Sequence, residues 1–425
     1  MTHFLILSHG FNMDGRASSQ TITDKVPFLR AKGFDLTVLS AVTGLRDADI
    51  DHLQLLPWGP SGLRFDLRHL LRLRIGQGAL YRALMLVASL LLLPAIVLER
   101  LLLGLQSQWS WALPAFVRGY FFLRRHPDCI VYSTGGAYSA HLAASWLKRW
   151  LGVRWIAEIH DPMVRPGEVP RTRDERFQAR LESTICTQAD HVWWFTNGAL
   201  ASAQHRNPQL ASRGFVVLPG ANPPVVQAQY VRGDQMVFAH FGSLSDTRTL
   251  APFFEGLNTF LALNPSFRST IRVEVYGASL DRESSQVLER TGLKTLVSSM
   301  GRLEACAETG LSGRERVVKR MHEVDCLLLM HGMIAECPEY IPSKLYEYFW
   351  SRRPVLALTW RNEQLDALVR EHGGVVASTD DHEAVVSAIA CVYADWQAGE
   401  LDAKSQLAQP LGVGQAVDKI LRECL

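Results

Sequence analysis

At 425 residues, 48% of them hydrophobic and 20% charged, the chain is sized and composed for two folded domains, which excludes a disordered or fibrous protein. Its 44 basic and 42 acidic residues leave a net charge of +2, so overall charge gives no argument for a nucleic-acid partner. The seven cysteines are dispersed, with no C-x-x-C pair, which excludes a zinc signature and suits a reducing compartment.

The chain runs from Met1 directly into an apolar stretch, with neither a basic leader nor a small-residue cleavage site, and a cytoplasmic protein is expected. Residues 4–7 read as a buried strand, followed by a glycine-bearing loop from Gly10 to Gly15, a helix ending near Gly33 and a strand over 36–39. Further strands are predicted at 129–132, 155–159, 191–195 and 215–218, with helices over 138–150 and 174–189 between them. Strands alternating with helices make a parallel sheet covered on both faces. Residues 44–51, which include Arg46-Asp47-Ala48-Asp49, read as a solvated turn.

One region departs from this pattern. Residues 83–98 carry no charge, and Ser89 is the only polar side chain among them. Arg64, Arg68, Arg72, Arg74 and Arg82 precede the segment, and Trp109, Trp111, Phe116, Arg118, Arg124 and Arg125 follow it. A spanning helix needs about 20 apolar residues, and Pro94 interrupts this run. The expectation is a helix pair that dips into an anionic membrane surface through about 64–125. An apolar hairpin buried against the first domain is the alternative.

The turn residues Pro219-Gly220-Ala221-Asn222-Pro223-Pro224 break the first series. A second follows, with strands at 237–242, 272–277, 326–330 and 354–358. The expected organisation is a first domain over 1–220 with the apolar insertion at about 60–125, then a second domain over 221–402. Residues 403–425 would end in a helix. The fold class is α/β, with two Rossmann-like domains facing a central cleft, because ligands of such sheets bind at the carboxyl ends of the strands.

The stretch Glu339-Tyr340-Ile341-Pro342-Ser343-Lys344-Leu345-Tyr346-Glu347-Tyr348 carries the most chemistry. Pro342 suits the first position of a helix. The free N–H groups of Ser343, Lys344 and Leu345 would then offer a helix start to an anion, with the Lys344 charge added. Glu347, one turn on, could accept hydrogen bonds from two ribose hydroxyls. The alternative is a surface helix carrying two solvated glutamates.

These residues, with the following R-P-V-L-A-L, resemble the donor site of the family 4 retaining glycosyltransferases of GT-B fold. The resemblance implies that Glu347 holds the ribose and Glu339 faces the transferred sugar. Phe241-Gly242-Ser243-Leu244 is similar to the family's glycine turn after its first C-terminal strand. There the family places an arginine after the glycine and a lysine five residues later, where this chain has Ser243 and Arg248. Arg248 can still clamp a diphosphate; either Lys344 supplies the other charge or the grip is weaker. In the first half, residues 132–139 and the segment 155–162 resemble the acceptor side. By that resemblance His160 lies near the reacting sugar and is, like Glu339, a candidate catalytic residue, with a structural His-Asp turn as the alternative; Gly15 with Arg16 approaches the diphosphate or the acceptor. The family's C-terminal helix returns to the first domain, which is expected here.

The expected activity is transfer of a sugar from a UDP- or GDP-linked donor, with retention and without metal or other cofactor. No D-x-D pair stands in a suitable position. The apolar insertion together with the resemblance points to a lipid-linked or other saccharide acceptor in envelope or capsular polysaccharide biosynthesis, with the protein peripheral on the inner face of the cell membrane. A nucleotide-sugar epimerase of the same fold and an inactive membrane scaffold are the competing readings. Nucleic acid is discounted, because the arginines adjoin an apolar stretch and not base-stacking aromatics on a sheet.

Overall fold

The computed structural model describes residues 2–13, 16–226, 228–277, 279–306, 308–401 and 408–425. The chain divides into two compact units, Met1–Pro219 with Val413–Leu425, and Gly220–Gly412.

In the first unit the elements run β1 (His3–Leu7), α1 (Ala17–Thr23), α2 (Val26–Ala31), β2 (Asp35–Ala41), β3 (Asp51–Leu55), α3 (Pro60–Ile75), α4 (Ala79–Leu102) and α5 (Ala112–Leu123). They continue with β4 (Ile130–Gly135), α6 (Ser139–Leu151), β5 (Trp155–Ile159), α7 (Arg173–Gln188), β6 (His191–Trp194), α8 (Asn197–Arg206) and β7 (Gly214–Val216). The seven strands form one parallel sheet in the order β3-β2-β1-β4-β5-β6-β7. Side chains alternate between its faces. Leu5, Leu7, Val131, Trp155 and Ala157 enter one core with residues of α5, α6 and α7, while Phe4, Ile6, Tyr132 and Ile156 enter another with residues of α1 and α2. Both faces are covered, so the strands read as continuous apolar runs.

The second unit contains β8 (Met236–Gly242), α9 (Ala251–Leu263), β9 (Ile271–Gly277), α10 (Arg282–Thr291), β10 (Val297–Gly301), α11 (Gly313–Glu323) and β11 (Cys326–Met330). Then come α12 (Lys344–Ser351), β12 (Val355–Thr359), α13 (Glu363–Glu371), β13 (Val375–Ser378) and α14 (His382–Ala398). Its six strands are also parallel, in the order β10-β9-β8-β11-β12-β13. The chain therefore contains two α/β domains, each built on a parallel sheet. The last helix, α15 (Val413–Cys424), belongs to the first unit. Its residues Val413, Ala416, Val417, Ile420 and Cys424 follow helical spacing and join the core beside α2.

Three strands lay outside the sequence expectations. β3 follows the segment read as a turn, while β10 and β13 are edge strands with few fully buried residues, which leaves a weak apolar signal.

The insertion differs more. α4 runs for 24 residues straight through Pro94, long and apolar enough to cross a membrane by length and composition. Proline there removes one backbone bond, and the flanking turns carry the helix on. The buried-hairpin alternative fails: Leu91 is 76% exposed and Leu101 70%, and Leu86, Leu90 and Leu98 are exposed as well. Ile96 is the one buried residue of the helix.

Beyond its packing along α3, α4 is held by polar contacts. Glu99, its only acid, accepts from the Ser61 N–H at the start of α3 (2.8 Å) and from Trp109 Nε1 (2.7 Å). Arg64 Nε donates to Ser89 Oγ at 2.9 Å, and Arg173 Nη1 donates to the Leu101 and Leu102 carbonyls, both at 2.8 Å. These last two are orphan carbonyls of the helix end.

Candidate functional site

In each unit the strand order reverses beside the first strand, between β1 and β4 and between β8 and β11. Such switch points open a crevice at the carboxyl ends of the strands. The predicted residues of the second unit gather there.

β8 ends at Gly242, whose φ of 118° is open to glycine and strained for any side chain. A Cβ at this position would also collide with Lys344 Nζ. Lys344 and Tyr348 lie four apart, on one face of α12. Lys344 Nζ donates to the Phe241 carbonyl, and the Phe241 N–H donates to the Tyr348 hydroxyl at 3.2 Å. Both backbone groups at the end of β8 are thus held by α12, and the lysine charge lies against the glycine turn. Phe241 is fixed from the other side by stacking on Tyr276, with centroids 4.7 Å apart.

Arg248 closes the same turn. Its Nη2 donates to the carbonyl and hydroxyl oxygens of Ser243, at 3.0 and 3.2 Å. Burial, reinforced by the charge of Arg248, lowers the Lys344 pKa to about 8, with Glu347 acting weakly the other way. Two cations at one glycine turn are suited to a polyanion. His240 and His331, at the ends of β8 and β11, are also buried, and burial pushes their pKa values down to about 3 and about 4. Neutral imidazoles line this edge, so the positive charge comes from Arg248 and Lys344.

The loop carrying Glu339 is pinned by Asn362, whose Nδ2 donates to the Cys337 and Tyr340 carbonyls at 2.8 and 2.9 Å. Glu339 is 4% exposed, close behind β11. Gly332 lets this loop approach the Arg248 turn, because a Cβ there would lie 2.6 Å from the Thr247 carbonyl. Glu347 bonds Arg314 Nη2 through Oε1 at 2.9 Å; sequence reasoning passed over Arg314, because nothing local marks it.

Gly242, Ser243, Arg248, Ser343, Lys344, Glu339 and Glu347 all fall at this one sheet edge. The helix start needs correction. α12 begins at Lys344, two residues beyond Pro342, and the Leu345 N–H donates to the Pro342 carbonyl at 3.0 Å. A tight turn precedes the helix and engages that amide, so Leu345 offers no free N–H and its side chain is buried. Gly15 lies outside the described residues.

In the first unit His160 directly follows β5, with its side chain 4% exposed. Its Nε2 lies 3.0 Å from Thr134 Oγ1 and 3.3 Å from Glu158 Oε1. Glu158 and Lys25, both buried, pair at 2.6 Å. The sequence carried a signal for Glu158, a lone carboxylate in the apolar strand Trp155–Ile159, and none for Lys25. Among the described residues, no group of three or more His, Cys, Asp or Glu side chains is arranged to hold a metal ion.

No family model matches the sequence, and no curated protein matches it either. Solved structures do match. HepE of Anabaena, in complex with UDP-glucose, is 12% identical and aligns over 99% of each chain with a TM-score of 0.58. An α,α-trehalose-phosphate synthase (UDP-forming) of Burkholderia vietnamiensis is 12% identical, with a TM-score of 0.63 over 100% of this chain and 98% of that one. WaaG, a glycosyltransferase involved in lipopolysaccharide biosynthesis, is 13% identical, with a TM-score of 0.55 over 99% of this chain and 95% of that one. Two parallel-sheet domains in this order, matched along the whole chain, give the protein the GT-B fold.

Proposed function

We propose that the protein is a glycosyltransferase that moves a sugar from a nucleotide-diphosphate donor to a lipid-linked saccharide at the membrane surface. The observation that carries the reading is the Lys344–Arg248 pair at the Gly242 turn: two cations, one of them with its pKa lowered to about 8, at the switch point of a parallel sheet. A diphosphate relieves that repulsion. Glu347 takes the ribose of a UDP- or GDP-linked donor, exchanging its contact with Arg314, and Glu339 faces the transferred sugar.

The cations stabilise the departing diphosphate electrostatically, and transfer proceeds with retention and without a metal. His160 serves the acceptor side. The exposed leucines of α4, beside the Arg64, Arg68 and Arg72 stripe of α3, favour insertion into an anionic leaflet. That supports a peripheral protein on the inner face of the cell membrane, working in envelope or capsular polysaccharide biosynthesis.

Isothermal titration with UDP and then GDP, on the natural chain and on Glu347→Ala, tests the donor site. Saturable binding that the substitution abolishes supports it. Folded protein that binds neither nucleotide turns the reading towards an inactive membrane scaffold.

A further inference from the structure

A lysine and a glutamate buried together gain little net stability from their attraction, because both lose hydration. Lys25 is 1% exposed and Glu158 0%, two residues before His160. Lys25 sits between α1 and α2, and Glu158 on the sheet face those helices cover. Glu158 Oε1 accepts from Lys25 Nζ, and Oε2 accepts from the Tyr132 hydroxyl. Burial alone would raise the Glu158 pKa; the charge of Lys25, with His160 beside it, overcomes this and holds it at about 2. Glu158 is therefore a carboxylate, which only accepts hydrogen bonds.

His160 presents Nε2 to that carboxylate and to Thr134. Nε2 must carry a proton, since a bare nitrogen lone pair facing an ionised oxygen would be repelled. Among the described residues nothing hydrogen-bonds Nδ1. The remaining groups around the ring are Phe195, at a centroid distance of 5.0 Å, and His141 of α6, which burial pushes down to about 3 and so leaves neutral. The hydroxyl of Tyr132 is fully buried, and burial with Glu158 raises its pKa, so it adds no charge. Asp161 is the next residue along the chain.

We infer that Lys25 and Glu158 are positioning residues for His160: Glu158 fixes the proton on Nε2, Lys25 cancels the carboxylate's charge, and Nδ1 is left as the acceptor for a substrate hydroxyl. The choice of a sugar hydroxyl rests on the function proposed above; the tautomer does not. Removing Lys25 leaves Glu158 uncompensated beside the ring. The imidazolium then persists to higher pH, and Nδ1 changes from acceptor to donor.

The test is a two-bond ¹H–¹⁵N spectrum of the full chain carrying labelled histidine, with the His160 signal assigned by its loss in His160→Gln. The expected result is an Nε2–H tautomer in the natural protein, and in Lys25→Met an imidazolium that survives about 1–3 pH units higher. Lys25→Arg keeps the charge and should titrate close to the natural protein. An Nδ1–H tautomer, or a Lys25→Met titration coinciding with the natural one, overturns the inference. If Lys25→Met does not fold, Lys25→Met/Glu158→Leu removes the charge pair and the acceptor together, and the same spectrum should show the Nε2–H preference lost; a retained preference overturns it. No ligand enters these measurements, so they fail separately from the UDP titration on Glu347→Ala.

Discussion

Replacing Lys344 by Met removes the cation at the Gly242 turn and keeps most of the aliphatic stem that packs there. A charge-assisted hydrogen bond to phosphate contributes about 1.5–3 kcal/mol, and each 1.4 kcal/mol is tenfold in affinity. Lys344→Met should therefore weaken UDP binding by about 10- to 100-fold. The lowered pKa adds a signature that simple loss of packing would not give. With a value of about 8, the free protein at pH 8 carries this charge in about half of its molecules. A bound diphosphate restores it, so binding at pH 8 takes up about half a proton, and affinity falls as pH rises above 8. Titration calorimetry at pH 7, 8 and 9, in buffers of different ionisation enthalpy, reads both quantities. Lys344→Met should show weak affinity that changes little with pH and no proton uptake. A natural protein whose affinity stays flat from pH 7 to 9, or a Lys344→Met variant within twofold of it, would refute the reasoning. For the unliganded fold the sign is opposite. The unfolded lysine holds its proton up to its ordinary value of 10.5, so stability rises with pH between about 8 and 10.5.

Leu91→Asp with Leu98→Asp should leave the melting temperature unchanged, because both side chains are exposed. The pair should abolish co-sedimentation with anionic vesicles, since each leucine buried in lipid contributes about 1.5–3 kcal/mol; undiminished vesicle binding would remove α4 as the anchor. Glu99→Ala strands the Ser61 N–H and Trp109 Nε1–H, and thermal unfolding should show a loss of about 1–3 kcal/mol for each donor left unsatisfied. Gly256→Leu drives a side chain into α14, because even a Cβ would lie 2.6 Å from Val385 Cγ1. The expected cost is about 1–3 kcal/mol in chemical denaturation, with UDP affinity preserved in the molecules that remain folded.

Local sequence carried the two parallel sheets, since a strand buried on both faces is apolar at most positions, as in Phe4–Leu7 and Cys326–Met330. It also carried the clustering at the Gly242 turn, because Gly242 ends a strand, Arg248 and the Pro342–Glu347 segment follow one, and all reach the same edge of a sheet. At the end of the chain the spacing from Val413 to Cys424 specifies a helix with one apolar face, and nothing in that spacing says which core the face joins. Hydrogen bonding decided what lay beyond this. Whether Leu345 offers its N–H depends on where the turn before α12 closes, and periodicity does not encode that. The exposure of α4 depends on what covers it, so a run of leucines reads the same in a core and on a surface. Lys25 lies 133 positions from Glu158, and Arg314 lies 33 from Glu347. Such pairs exist only once the chain has folded, because a charge finds its distant partner through the packing of the elements between them.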